Sequence, residues 1–555
     1  MSSGERSSEP LAAQNTASQI LASSDPQNGT GRNPPGAPAP KTTAGVLTAG
    51  EARLDTLLAD VLRGTSTKSS TQSSLDRERT STPLFTFLNS DQWIAQLQTW
   101  FGSELFHRSH DRLWLIAQLQ RDIAQIDQLI QSQVNAILHH ASFQRLESAW
   151  RGLQYLVDQR DGHADSPMAI RVFNATWLEL RSDLEGATEF DQSQLFRKVY
   201  EDGLGTPGAD PFSVLICDYA IHPRPSREHP FDDLYILRGL GQVAAAAFCP
   251  LVINASPAMF AVDTFPELRH ATNLQSLHEG LDFFAWQRFR ESEDARFVTL
   301  ALPRVLMRVP YRDTYDVGIP YNEEISTVEN YLWGGAAFAV GEVLMRSFAQ
   351  GRWFANIRGA QRGIDGGGLV HGPVVDRFGT EPFGNAVKPM TDLVIGDDFE
   401  RELSRSGFLP LCACKDMPLA AFYSCATAQK PRAYSTADAT ANAKLSSLLN
   451  YMLCVSRFGH YLKVISRDKI GNCSTPEELE RILHDWIIQY VTADTDADQR
   501  IRSERPLRAA EIAIRALPGK PGEYGCIIHI APHHELDDIQ ASVRLDTRLI
   551  QPVRT

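Results

Sequence analysis

Cysteine is scarce, with 8 in 555 residues. So few thiols in so long a chain make no disulfide framework, and a reducing compartment is the natural setting. Positive charge is also short: Lys and Arg total 54 against 67 Asp and Glu, a net charge of −13. Gripping nucleic acid needs a positive face to neutralise phosphates, and this balance argues against that as the main task. The opening residues lack a basic stretch followed by an apolar one, so no secretory leader is read there. One long uncharged run, 243–262 (VAAAAFCPLVINASPAMFAV), is interrupted by Pro250 and Pro257 and made polar by Asn254 and Ser256. A membrane span needs about 20 apolar residues, so this run reads as a buried helix end followed by a buried strand. No Walker A, nucleophile elbow or kinase motif set occurs. What remains is an ordinary globular composition, 43% apolar and 22% charged. At roughly 150 residues per domain, the length implies about three to four units.

The first 43 residues are rich in Ser, Thr, Gly, Pro and Ala and hold almost no large apolar side chains, so they are expected to be disordered. Leu54, Leu57, Leu58, Val61 and Leu62 then form one helical stripe, with Thr48 and Glu51 as a capping box and Gly64 as the stop. The stripe either folds back on the body or docks in a partner's groove. From residue 91 the chain reads as helical, with Trp93, Ile94, Leu97, Trp100 and Phe101 on one face. Ile116, Leu119, Ile123, Ile126, Ile130, Val134 and Ile137 follow at spacings of three and four, a near-heptad seam that predicts pairing with another helix. Phe143, Leu146, Trp150 and Leu153 predict the core face of a further helix.

Between 168 and 430 short apolar runs alternate with helical patterns. Strands are predicted at 168–174, 212–219, 250–255, 297–302 and 391–395, and helices at 231–248, 328–349 and 398–406. The fold class is α/β, or mixed α+β, and multidomain. Beyond it the pattern predicts a helix of about 30 residues from Asp438 and a second over 475–491. Strands follow over 508–516 (Ala510, Ile512 and Ile514 on one side), 523–530 (with Ile527, Ile528 and Ile530) and 541–549 (Val543, Leu545 and Leu549 in step), with a Gly/Pro-rich turn at 517–525. The proposed divisions are 1–90 (linker with a short helix at 48–63), 91–160 (helical), 161–432 (α/β) and 433–555 (long helices, then strands).

Most apparent chemistry fails on its context. Gly239, Gly241 and Ala244 with Asp263 mimic a dinucleotide fingerprint, but Leu234, Leu237, Leu240, Val243 and Ala247 carry a helix straight through the glycines, capped by Asp232 or Asp233. Asp494, Asp496 and Asp498 open like a calcium loop, yet Gln499 and Arg505 stand where glycine and a bidentate glutamate belong. Cys412 and Cys414 have no second ligand pair at zinc spacing and read as buried thiols. His529, His533, His534 and Glu535 lack the helical HExxH arrangement, and Gly366, Gly367 and Gly368 precede no P-loop lysine and read as a mobile loop. No cofactor and no metal site is expected. Arg290, Glu291, Glu293, Asp294 and Arg296, like Glu323 and Glu324, offer acid and base groups, but such dense mixed charge reads as interface ion pairs that set register and partner choice. The alternative from another class is a cytosolic hydrolase using Glu291, Glu293 and Asp294.

Several stretches resemble the large subunit of the type VI secretion contractile sheath, the TssC/VipB family. They are SQVNAILHHASFQRLESAWRGLQYLV (132–157), EFDQSQLFRKVYEDGLGTPGADPFSVLICDY (189–219), WQRFRESEDARFVTLALPRVLMRVPY (286–311), NYLWGGAAFAV (330–340), GFLPLCACKD (407–416), AQKPRAYSTADATANAKLSSLLNYMLCVSRFGHYLKVISRDKIG (428–471) and LPGKPGEYG (517–525). The residues at 369–378 and 445–452 depart from the family's usual wording, and the first ~90 residues match nothing in it beyond a helix of the right kind. The resemblance implies a non-enzymatic, cytoplasmic structural protein, assembled on a baseplate at the inner membrane. Its implied partners are a small sheath subunit (TssB/VipA type), further copies of itself in a helical polymer, inner-tube hexamers, the baseplate and an AAA+ unfoldase. Nucleic acid and direct membrane insertion are not among them. By the same resemblance the 91–160 helices pair with the small subunit, the C-terminal strands join an intersubunit sheet, and the stripe of Leu54, Leu57, Leu58, Val61 and Leu62 is the unfoldase contact. A phage-like or pyocin-like tail sheath is the alternative within the class.

Overall fold

The structure is a computed structural model that describes residues 83–102, 112–227, 229–270, 273–312, 321–360, 366–378, 387–415, 417–469, 475–492, 494, 498–516 and 524–533. The stripe from Leu54 to Leu62, the strand residues Val543, Leu545 and Leu549, and Asp496, His534 and Glu535 lie outside them. The chain divides into two units, residues 1–123 and 124–555. In the first, α1 (Trp93–Phe101) carries Trp100, whose indole donates to Asp122 Oδ2 at 2.8 Å.

The second unit is built on a six-stranded sheet in the order β1-β2-β3-β7-β8-β6. Its strands are β1 (Leu215–Ile221), β2 (Leu251–Ala255), β3 (Val298–Leu302), β6 (Leu369–Val370), β7 (Phe408–Ala413) and β8 (Ala420–Phe422). β1, β2, β3 and β7 run parallel, β8 returns antiparallel to β7, and β6 lies antiparallel to β8. All residues of β2 and β3 are buried, as expected of parallel strands covered on both faces. Successive side chains alternate between two cores. Leu251 and Ile253 of β2 and Val298 and Leu300 of β3 join Leu237, Leu240 and Val243 on one face. Val252 and Ala301 join Val340, Val343 and Leu344 on the other.

The first face is covered by α5 (Asp233–Ala246), which runs unbroken through Gly239 and Gly241 and is capped by Asp232, whose carboxylate accepts from the Tyr235 N–H. The second face is covered by α7 (Ala337–Gly351). Expected helix 328–349 starts late because β5 (Leu332–Gly334) pairs with β4 (Val305–Arg308), and Asn254 Oδ1 accepts from the Ala337 N–H at 2.9 Å. The run 243–262 is a helix end followed by β2, and no described helix is long and apolar enough to cross a membrane.

Two expected strands are absent. Residues 168–174 join no ladder; Arg171 lies over the Phe212 ring, and just past the segment Ala175 O accepts from the Tyr219 hydroxyl of β1. Residues 391–395 make one bridge, Thr391 to Val305. They bury Leu393 and Ile395 in the core without forming a strand.

The single helix expected from Asp438 is two, α9 (Ala437–Leu445) and α10 (Leu449–Lys469). The break comes from tertiary pairing: Thr427 N–H donates to Ser447 O, Leu449 N–H donates to Cys425 O, and Leu448 bridges Ala426. A third core joins α10, α11 (Pro476–Ile487) and an antiparallel hairpin of β9 (Leu507–Ala516) and β10 (Tyr524–Pro532) through Trp353, Phe458, Leu483, Ile487 and Ile512.

Candidate assembly interface

Helix α2 (Arg112–Leu138) has 27 residues and buries none of them. Its polar residues give it no reason to avoid water, but its isoleucines do. Ile116, Ile123, Ile130 and Ile137 recur every seven residues and are 40%, 56%, 36% and 48% exposed, while Leu119, Ile126 and Val134 beside them are half-buried. The seam read from the sequence is therefore a stripe that the described residues leave largely open.

Helix α3 (Ala141–Gly162) turns three of the four residues of its expected core face outward and keeps Leu153 half-buried. Phe143, Leu146 and Trp150 face outward, with Leu146 and Trp150 more than half exposed. The buried face is instead Ser148, Gly152 and Leu156. Small residues sit there because α7 comes close: a Cβ on Gly152 would overlap the Phe338 ring, and one on Gly341 would lie 2.8 Å from Leu156 Cδ2. Backbone proximity outweighs side-chain hydrophobicity in choosing the buried face, and a count of apolar residues misses this.

A polar network around the buried pair Arg308 and Glu323 ties these helices to the two-stranded β4–β5 ladder. Arg308 of β4 donates to both Glu323 oxygens at 2.5 and 3.1 Å and to Glu147 of α3 at 2.9 Å. Tyr311 N–H reaches Glu323 Oε2 at 3.0 Å, His139 Nε2 lies 3.2 Å from Oε1, and the Tyr321 hydroxyl donates to Asn135 Oδ1 of α2 at 2.6 Å. Burial would raise the Glu323 pKa, but the hydrogen bonds from Arg308 and Tyr311 outweigh it and hold this carboxyl below the usual range. Glu324 is exposed, so the two neighbours form no acid–base pair.

The hairpin has an inner and an outer face. Ile528 opposes Ile512 and Ile530 opposes Ala510 on the core side, whereas Ile527, opposite Ala513, is 44% exposed. The far edge of β9 is occupied: Ile514 N–H donates to Glu480 at 2.8 Å, and Thr492 N–H to Leu507 O. Among the described residues no third strand lies along β10.

The charged run 290–296 does not act as one group. Arg290 is buried within the chain, donating to Ala428 O and Arg405 O, and burial pushes it down to about 10. That places it in the core and corrects its assignment to an interface. Glu293 pairs with Arg296 and, at 3.3 Å, with Arg432, while Glu291 is exposed. Gly366, Gly367 and Gly368 are buried, with Phe422 N–H donating to Gly368 O, so they make a packed turn instead of a mobile loop. Burial raises the Cys412 thiol to about 12.

One cluster escaped the sequence reading. His222, at the end of β1, and His229, in the following loop, converge on Asp233, the first residue of α5. The only signal was the spacing of two histidines seven apart with an aspartate four further on, which matches no familiar ligand motif.

Two family descriptions match the chain: "EvpB/VC_A0108, tail sheath N-terminal domain" over residues 120–429 and "EvpB/VC_A0108, tail sheath gpW/gp25-like domain" over 438–549. The type VI secretion system sheath protein TssC1 of Pseudomonas aeruginosa is 36% identical over 441 residues, covering 78% of this chain and 86% of the relative. Two cryo-EM structures of the anti-feeding prophage, its baseplate and its contracted helical sheath, give TM-scores of 0.30 and 0.28 at 9% and 10% identity. Each covers 57% of this chain, and 67% and 68% of the prophage chains respectively. A likeness that slight carries no argument.

Proposed function

We infer the role of this chain from the family to which it belongs, the EvpB/VC_A0108 tail-sheath proteins: it is a structural subunit of a type VI secretion contractile sheath. It pairs with a small sheath subunit, and the heterodimers polymerise in the cytoplasm on a baseplate around an inner tube. Contraction is relaxation of an extended lattice to a more compact one, in which many small contact differences add along the tube.

The observation that carries this reading is the pair of unburied apolar stripes. Ile116, Ile123, Ile130 and Ile137 on α2, and Phe143, Leu146 and Trp150 on α3, are exposed large apolar side chains at helical spacing, the kind of surface that marks an interaction face. Heptad spacing suits a helical partner, and we assign the small subunit to it. The edge of β10, along which no described strand lies and where Ile530 O accepts from the Tyr451 hydroxyl, is proposed for strand addition by a neighbouring copy, with Ile527 toward the joint and Val543, Leu545 and Leu549 continuing the sheet. The stripe Leu54, Leu57, Leu58, Val61 and Leu62 is the proposed contact for an AAA+ unfoldase that recycles contracted sheath. Glu291, Glu293, Asp294 and Arg296 are proposed as rim charges of the subunit contact. The family is one of structural sheath proteins, and no step of this role requires chemistry.

The test is co-expression with the neighbouring small subunit and negative-stain microscopy. Hollow tubules are expected from the pair and none from the small subunit alone; a soluble heterodimer that never polymerises contradicts the reading.

A further inference from the structure

We propose that His222, His229 and Asp233 form a binding site for a zinc-class divalent cation. Asp233 is buried and its two oxygens face different imidazoles: His229 Nε2 is 2.7 Å from Oδ1 and His222 Nδ1 is 3.1 Å from Oδ2. The two rings stack with centroids 4.1 Å apart. All three ligand atoms lie within 4.8 Å of one another. A tetrahedral zinc with bonds of about 2.0–2.1 Å separates its ligands by about 3.3 Å, so side-chain rotations that move these atoms by up to about 1.5 Å bring the three onto one ion.

The surroundings are those of a ligand set held from behind. The Trp177 indole donates to Asp233 Oδ1 at 2.6 Å and the His222 backbone N–H to Oδ2 at 2.9 Å, which fixes the carboxylate's plane. Second-layer bonds of this kind orient metal ligands. Phe231 meets the His229 ring edge-on, limiting its rotation. The carboxylate is sealed, but the two imidazole side chains are 27% and 24% exposed, which gives water access to complete the coordination. The cluster sits at the carboxyl end of β1, the edge strand of the sheet. Without an ion, both facing ring nitrogens must carry protons to donate to the one carboxylate. A divalent cation would take the place of those two hydrogen bonds, each neutral imidazole carrying its proton on the ring nitrogen that does not ligate. Two nitrogens and one oxygen favour zinc over magnesium or calcium, which take oxygen sets. Bound metal would pin the loop between β1 and α5.

The test uses the full-length chain, stripped with chelator, then titrated calorimetrically with Zn²⁺ and separately with Mg²⁺. One Zn²⁺ per chain is expected, with no Mg²⁺ uptake at the same concentrations, and His222→Ala or His229→Ala should each weaken Zn²⁺ binding at least about tenfold. Unchanged uptake in the doubly substituted chain overturns the proposal, as does no uptake by the unsubstituted chain. Two measurements on the unsubstituted chain do not depend on a variant folding. Co²⁺ should give tetrahedral d–d bands without thiolate charge transfer, whereas a thiolate band assigns the metal to cysteine and overturns the site. Zn²⁺ should protect His222 and His229 from diethylpyrocarbonate labelling read by mass spectrometry, and equal labelling with and without Zn²⁺ counts against it.

Discussion

Phe338 is seated on Gly152, its ring occupying the place where a Cβ on that glycine would fall. This contact, with Leu156 against Gly341 one turn on, decides which face of α3 meets the body and turns Leu146 and Trp150 outward. The apolar surface that α3 leaves exposed is a consequence of where these two glycines lie.

Gly152→Val should therefore destabilise the fold by about 1–3 kcal/mol, the usual cost of overpacking. Chemical denaturation measures it, and adding Phe338→Ala should recover part of the loss because the two substitutions share one space. Strict additivity would show that the ring can move aside freely.

Leu146→Glu and Trp150→Glu should leave the fold within about 0.5 kcal/mol of the parent, since both side chains face water in the isolated chain. Co-purification of the small subunit should fall sharply. Full retention of the partner would place its contact elsewhere.

Glu323→Ala leaves Arg308 buried beside a missing partner and should cost about 3–5 kcal/mol. The pH dependence has a definite sign. The folded carboxyl titrates below an unfolded glutamate, near about 4.3, because hydrogen bonds from Arg308 and Tyr311 outweigh burial. Its stabilisation is fully present above that value and is lost as pH falls through the folded one. Glu323→Gln should flatten the acid limb of the stability curve; an unaltered limb would mean that other carboxylates carry it.

The sheet was legible where strands are wholly apolar, as in β2 and β3, and α5 was legible because its stripe of Leu234, Leu237, Leu240 and Val243 overrides the two glycines within it. The reading failed where partners distant in sequence decide. Residues 168–174 look like a strand but find no ladder, Ser447 and Leu448 leave the helix to pair near Thr427, and Arg290 looks like surface charge but reaches carbonyls at 405 and 428. The seam residues of α2 were found because heptad spacing belongs to one helix alone. The outward face of α3 was not, because apolar periodicity marks a face without saying what covers it. His222, His229 and Asp233 were missed for the same reason: the turn that gathers them has no motif.

The central claim is that the C-terminal hairpin links neighbouring subunits into a tube. Negative-stain microscopy of the small subunit co-expressed with the chain ending at Arg505, against the full-length chain, tests it most directly. The account predicts tubules with the full chain and only dispersed heterodimers with the shortened one. Tubules of ordinary length from the shortened chain would contradict it.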